Sequence, residues 1–324
     1  MTTLFLATTG GHLTQLASLA ERIPYDSDSL WVTHSNAQSE SLLADRDVYY
    51  VPYVGVKDVR GVLGCLPLAR DLHRRRKFTR VVSTGSGIAI GYLPYLAARG
   101  VDCHYIESAA RVAGPSVTGR VLRRVPGIHT YTQHRSWSDK HWHYGGNGFD
   151  SYEPAAVIRT FTDPIRVVVT VGTATEFPFR RLLVQLSKLL APGGGLEQAT
   201  GSPVEVLWQT GGAAVDDLPI SPTPFLPAAD LMAALGRADI VVSHAGTGSA
   251  LANLAAGRYA VMVPRIAEFG EAGDDHQREL AIELESRGLA LHRDASEMTV
   301  EDLLMTLSKE VRRAAQVSPF ELRS

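Results

Sequence analysis

The stretch Val242-Ser-His-Ala-Gly-Thr-Gly-Ser-Ala-Leu251 limits what this chain can fold into more than any other. Asp239-Ile-Val-Val-Ser243 is a short apolar run of strand type, and His244-Ala-Gly-Thr-Gly-Ser249 is a turn of small residues. Ala250–Ala256 then reads as a helix, with Gly257 placed to end it. A strand that turns through glycines into a helix leaves backbone N–H groups unbonded at the helix start. Those groups and the helix dipole favour an anion, usually a phosphate. Gly246 and Gly248 let the backbone approach a ligand closely, and Thr247 and Ser249 can add hydroxyl donors. A ligand-free turn writes the same pattern, so this segment fixes an α/β corner and leaves its occupant open.

Further corners bear on that choice. After the apolar run Tyr259–Val263 comes the polar loop Pro264-Arg-Ile-Ala-Glu-Phe-Gly-Glu-Ala-Gly-Asp-Asp-His-Gln277. It lies at a strand's carboxyl end, where open parallel sheets bind ligands. Arg265, Glu268, Glu271, Asp275, His276 and Gln277 are its candidate ligand groups. Carboxylates and carboxamides bind sugar hydroxyls well, because each hydroxyl both donates and accepts. Helix N-capping explains Asp274 and Asp275 equally well. Val169-Thr-Val-Gly-Thr173 ends another strand, and Gly172 and Thr173 are candidates for donor phosphates beside His244 and Gly246–Ser249.

In the first half, Thr8-Thr-Gly-Gly-His-Leu-Thr-Gln15 directly follows the first strand. His12 there is a candidate general base, since an imidazole titrating near pH 6.5 suits removing a proton from an attacking hydroxyl. A helix-capping or structural histidine is the competing reading, in a chain with 11 histidines. Ser83-Thr-Gly-Ser-Gly87 is a further strand–turn–helix corner, and Tyr105-Ile-Glu-Ser108 ends a strand with Glu107 at its edge. Glu107 can orient His12, act as the base itself, or cap the next segment. The acceptor-side candidates are Gly10, Gly11, Thr14, Thr84, Gly85, Ser86, Gly87 and Arg111.

Strand and helix patterns alternate along the whole chain. Strands are expected at Thr3–Ala7, Leu30–His34, Val48–Val54, Arg80–Thr84, Cys103–Glu107 and Ile128–Thr132, then at Ile165–Val171, Val204–Gln209, Ile240–Ser243, Ala260–Val263 and Leu289–His292. Helical patterns include Leu13–Arg22, Val62–Lys77 and Ile88–Arg99. This is an α/β chain of parallel sheets covered on both faces. With 324 residues there is length for two domains. The turn-rich stretch Gly145–Pro154 places the domain boundary between Phe149 and Pro164, with domains at 1–155 and 156–302 and a helix over Leu303–Val317, inside the final segment 303–324, crossing back to the first domain. Two doubly wound domains facing each other across a cleft are the expected architecture, with the site between their strand ends.

Composition excludes several classes. A formal net charge of −2 argues against general nucleic-acid binding. Cys65 and Cys103 have no metal-ligand spacing and suit a reducing compartment. Asp26-Ser-Asp28 reads as a surface turn, and no metal or other cofactor is expected. The apolar stretch Ile88–Ala98 is too short to span a bilayer and contains Pro94. The start of the chain reads as a strand, not as a signal peptide. Basic residues gather at Arg70, His73–Lys77, Arg80, Arg111, Arg120, Arg123 and Arg124, with Trp137 and Trp142 close behind. Such a face fits an anionic membrane surface or a lipid pyrophosphate, or is simply solvated.

The residues from Ile165 to His292 resemble the C-terminal donor domain of glycosyltransferase family 28, through Val169–Thr173, His244–Ser249 and Pro264–Gln277. The first half resembles the partner subunit of the two-subunit GlcNAc transferase that builds dolichyl-pyrophosphate chitobiose, and its bacterial exopolysaccharide counterparts. The matching stretches are Gly10–Leu16, Ser83–Ala89 and Tyr105–Arg120. The resemblance implies a GT-B fold, an inverting and metal-independent reaction, and a UDP-sugar donor. It also implies an acceptor saccharide on a polyprenyl pyrophosphate and a peripheral place at the cytoplasmic face of the plasma membrane. A homo-oligomer is compatible with it. It assigns the base to His12, the donor diphosphate to Gly246–Ser249 and the donor sugar to Gln277. One departure stands out: Ala252 occupies the position where related domains often carry a ribose-binding glutamate, so ribose binding falls to Glu268 or Glu271. The competing functions are a natural-product glycosyltransferase, a UDP-sugar epimerase and a membrane scaffold without activity.

Overall fold

The computed structural model describes residues 2–55, 58–157, 163–173 and 175–323. The chain forms two compact units, Met1–Asp150 with Gln316–Ser324, and Ser151–Ala315. The passage between them falls at Asp150–Ser151, inside the boundary span Phe149–Pro164 and five residues ahead of the 155/156 division; residues 158–162 of that span lie outside the described residues.

Unit 1 holds strands β1 (Thr3–Ala7), β2 (Leu30–Thr33), β3 (Val48–Tyr50), β4 (Arg80–Gly85), β5 (Asp102–Ile106), β6 (Ile128–Thr132) and β7 (Trp142–Tyr144). They form one parallel sheet in the order β3-β2-β1-β4-β5-β6-β7. Its helices are α1 (Gly11–Ala20), α2 (Ala37–Leu42), α3 (Val59–Arg75), α4 (Gly87–Ala97) and α5 (Val117–Leu122). Strand β1 shows why the sequence folds this way. Side chains alternate across a strand, so Leu4 and Leu6 pack with Ile88, Tyr92 and Leu93 of α4 on one face. Phe5 and Ala7 pack with Leu13, Leu16 and Leu19 of α1 on the other. Leu4 to Ala7 are all fully buried, as a strand covered on both faces requires.

Unit 2 holds β8 (Tyr152–Ala156), β9 (Ile165–Thr170), β10 (Val204–Gln209), β11 (Pro222–Thr223), β12 (Ile240–His244), β13 (Ala260–Val263), β14 (Ala290–His292) and β15 (Lys309–Arg313). Six of these make a second parallel sheet, β11-β10-β9-β12-β13-β14. Its helices are α6 (Arg180–Leu189), α7 (Gly195–Thr200), α8 (Ala228–Arg237), α9 (Thr247–Ala255), α10 (His276–Ser286) and α11 (Val300–Thr306). Gly257 follows α9 at φ +74°, the left-handed conformation a glycine adopts at a helix end. Among the described residues, no helix is long and apolar enough to cross a membrane.

The helix expected over Leu303–Val317 is a correction. It ends at Thr306, and Lys309–Arg313 instead pairs antiparallel with β8, Val311 opposite Pro154. Val311 is buried while its neighbours Arg312 and Arg313 are exposed. The partner strand lies some 150 residues away, and long-range pairing overrides a weak local pattern. The final segment does return to unit 1, as extended chain: Phe320 N–H donates to Arg22 O at 3.0 Å and Glu321 N–H to Gly145 O at 2.8 Å. Strand β3 also stops at Tyr50, short of the expected Val54.

Candidate active site

In unit 1 the candidate groups gather at the carboxyl ends of β1 and β4. Gly10, at φ 89° and ψ −146°, makes the turn from β1 into α1 in a backbone region open essentially to glycine. Its N–H donates to Gln38 Oε1 at 2.7 Å. Thr14 Oγ1 donates to Gly10 O at 3.2 Å and accepts from Gln38 Nε2 at 3.1 Å. Gln38 therefore braces the turn; its distant position gave no sequence signal.

The turn presents His12, half-buried on the first turn of α1. Its Nδ1 lies 2.7 Å from Thr84 O. A carbonyl only accepts, so Nδ1 carries the hydrogen and Nε2 is the basic nitrogen. Thr84 Oγ1 donates back to His12 O at 2.8 Å. A Cβ on Gly85, at φ +103°, would stand 3.4 Å from the imidazole. Ser86 N–H donates to Thr8 Oγ1 at 3.1 Å, and Gly11 and Gly87 open α1 and α4. Two corners distant in sequence thus form one polar cluster around an imidazole of defined tautomer.

Glu107 plays a different part from the base or orienter considered for it. It is buried, and its oxygens accept from Tyr105 Oη at 3.1 Å, Ser108 N–H at 3.1 Å, and Ser116 N–H and Oγ, both at 2.9 Å. Ser116 in turn caps α5 by accepting from Gly119 N–H at 3.1 Å. Burial raises the carboxyl's pKa against the pull of these donors. The carboxylate is spent on holding the loop from β5 to α5, which also carries Arg111. That is the capping alternative, not a contact with His12.

Trp142 is a second correction. Expected at an interface, it is buried in the core, and Trp137 packs edge-on against it at 5.2 Å. The exposed large apolar residues described in unit 1 include instead Val59, Leu63 and Leu66 on α3 and Val117 and Val121 on α5, beside Leu42, Tyr50 and Tyr53.

In unit 2 the corners after β9, β10, β12 and β13 converge. His244 ends β12, and its ring lies between two glycines. A Cβ on Gly172, at φ +78°, would come within 2.5 Å of His244 Cε1. One on Gly246 would come within 2.5 Å of Nε2. Both glycines are required by the imidazole itself. Ser249 Oγ lies 3.3 Å from Nδ1. Burial, and then the charge of Arg265, push the His244 pKa down to about 3, so this imidazole is neutral at pH 7. The first i→i−4 bond of α9 runs from Ala250 N to Gly246 O at 2.9 Å. The N–H groups of Thr247, Gly248 and Ser249 precede it and are the helix-start donors. Gly211, after β10, was not singled out from sequence, though a strand followed by two glycines signals such a corner. A Cβ there would meet Gly172 O at 2.5 Å.

The loop after β13 divides its candidates. Arg265 is buried, and its guanidinium Nη2 donates to Val171 O. Gln277, also buried, accepts the Arg265 N–H with Oε1 at 3.1 Å. Glu271 is buried and structural: it takes Arg181 in a two-pronged ion pair at 2.9 and 3.1 Å and accepts Ile266 N–H at 3.1 Å. A ribose-binding part for Glu271 is therefore corrected, since its oxygens are already engaged. Asp275 accepts Ala267 N–H at 2.9 Å, pinning the loop rather than capping α10. His276 pairs with Asp274. Glu268 and Thr173 are exposed. Arg181, missed in the sequence, sits on α6 and also lies over the Phe269 ring at 4.5 Å.

Residues 166–321 match the glycosyltransferase family 28 C-terminal domain. Among solved structures, the chain is similar to Acinetobacter baumannii MurG, with 20% identity and a TM-score of 0.57 over 95% of this chain and 91% of that one. It is similar to the glycosyltransferase SnogD from Streptomyces nogalater, with 16% identity and a TM-score of 0.57 over 95% and 91%. A spinosyn rhamnosyltransferase, SpnG, solved with thymidine diphosphate, matches at 14% identity and a TM-score of 0.52 over 95% and 90%. No curated protein sequence matches. Residues 166–321 carry a glycosyltransferase family 28 C-terminal domain, and the chain as a whole has the GT-B fold of these glycosyltransferase structures.

Proposed function

We propose that this chain is an inverting, metal-independent glycosyltransferase that moves a sugar from a UDP-sugar onto a saccharide carried by a polyprenyl pyrophosphate. Unit 2 takes the donor and unit 1 the acceptor. His12 Nε2 removes the proton of the acceptor hydroxyl as that oxygen bonds to the donor's anomeric carbon. The bond from that carbon to the diphosphate oxygen breaks with inversion, and UDP leaves with the electron pair. The N–H groups of Thr247–Ser249 stabilise the departing charge as preorganised donors. The amide end of Gln277 faces the donor sugar while its oxygen holds Arg265 N–H.

The observation that carries this reading is the His12–Thr84 hydrogen bond, which puts the hydrogen on Nδ1 and supports Nε2 as the base. A nucleoside diphosphate in a protein of the same fold is consistent with the donor class. For the acceptor's lipid, α3 supplies a docking face: Val59, Leu63 and Leu66 are exposed at its first turns, and Arg70, Arg74 and Arg75 follow them. Apolar side chains beside cations suit the inner face of an anionic membrane.

The test is a screen of UDP- and TDP-sugars read by nucleotide release, with a short-chain lipid-pyrophosphate sugar as acceptor. Release that depends on a UDP-sugar and on this acceptor supports the reading. Interconversion of a UDP-sugar without acceptor makes the chain an epimerase. Transfer to soluble aglycones alone makes it a natural-product enzyme, and absence of nucleotide-sugar binding by calorimetry makes it a scaffold.

A further inference from the structure

Arg265 is 4% exposed. A guanidinium so far from water is normally paired with a carboxylate, because leaving a buried charge uncompensated is costly. Among the described residues none pairs with it. Glu271 is the acidic group that influences it, but the Glu271 oxygens are held by Arg181 and Ile266 N–H. Arg265 Nη2 donates to the Val171 carbonyl, and its buried Nε has no hydrogen-bond partner. The group of Arg181, Arg265 and Glu271 therefore holds two cations and one carboxylate.

The surplus charge lies at a particular place. Val171 immediately precedes Gly172, which packs against the His244 ring, and that ring packs against Gly246, the residue before α9. The cation is thus linked, through Val171–Gly172 and the His244 ring that its charge reaches, to the corner that carries the N–H groups of Thr247, Gly248 and Ser249. Removing the Arg265 charge and adding an anion at that corner both lower the local charge, so a bound anion offsets the charge that the guanidinium leaves in surplus.

We propose that Arg265 is a charge-compensating residue: its uncompensated buried guanidinium is the fixed counter-charge for the donor's diphosphate at the start of α9. It acts through the corner without touching the sugar or the base. This rests on the donor site assigned above and deepens it, by naming what balances the leaving group. The arrangement supplies from a side chain the positive charge that other diphosphate-releasing sites take from a divalent cation.

The experiment is calorimetry of uridine, UMP and UDP with the full-length wild type, R265M, R265K and E271Q, each checked by circular dichroism and thermal melting. R265M should weaken UDP about tenfold, the scale of losing one close, partly desolvated charge interaction, and weaken UMP less. Uridine should change less than about twofold. R265K should restore most of the UDP affinity. E271Q adds net positive charge while keeping an acceptor for Ile266 N–H, so UDP should bind about two- to threefold more tightly. A purely structural Arg265 predicts no such opposite sign. The proposal is overturned if R265M weakens all three ligands alike or none, or if E271Q weakens UDP. Should R265M fail to fold, R265K and E271Q decide it by the same criteria. Failure of wild type to bind UDP overturns the donor site and this proposal with it. Normal binding with the wrong variant pattern overturns this proposal alone.

Discussion

His12 and His244 both stand where a parallel strand meets a glycine turn, yet the fold gives them opposite chemistry. His12 lies on a helix, half-buried, with a carbonyl taking its Nδ1 hydrogen and leaving Nε2 basic. His244 ends its strand, wedged between Gly172 and Gly246 beside a buried guanidinium, and its pKa falls to about 3. In the proposed reaction the first accepts a proton. The second stays neutral, because burial and the charge of Arg265 oppose its protonation. Residue type and local motif are shared, so the difference comes from what each ring touches.

The glycines differ in the same way, and this gives the largest expected effect. Gly172→Ala adds a methyl into the His244 ring at a positive φ. Overpacking and backbone strain together should cost about 2–5 kcal/mol, read by denaturant unfolding. A loss under about 1 kcal/mol would mean that the ring is free to move aside. Next, His12→Ala should lower turnover by about 10² or more, the usual scale for a general base, with UDP affinity nearly unchanged. Near-normal turnover would remove His12 from the chemistry, and a large loss of UDP binding would show that the two units are not divided as proposed.

Gly10→Ala should cost about 1–3 kcal/mol from backbone strain alone, because nothing lies within 4 Å of the added methyl. Its cost should therefore fall below that of Gly172→Ala, and the reverse order would break the comparison. The most gradual effect, small at each step of pH, is the acid response of His244. Its folded pKa of about 3 lies below the ordinary 6.5, so below pH 6.5 the unfolded chain binds the extra proton. Stability should fall as pH drops from 6.5 toward 3, by about 1.4 kcal/mol per pH unit from this group. His244→Asn should flatten the measured slope by that amount. Equal slopes would show that His244 titrates normally.

Much of this molecule is local in origin. Runs such as Leu4–Ala7 and Val167–Thr170 must be strands buried on both faces, and the glycine corners after them must turn into helices. Alternation of the two then requires parallel sheets with loops at the strands' carboxyl ends. His12, His244 and the loop from Arg265 to Gln277 were visible in that way, because each lies at or just beyond a strand's carboxyl end. The tertiary structure decided what sequence neighbours cannot. Thr84 reaches His12 from 72 positions away. Arg181 claims Glu271 from 90 positions away, turning a presumed ribose ligand into a loop anchor. Glu107 became a cap, and Lys309–Arg313 became a strand because β8 offered it partners. Periodicity records burial along one element, whereas protonation, pairing and counter-charge depend on which elements the folded chain brings within a few ångströms.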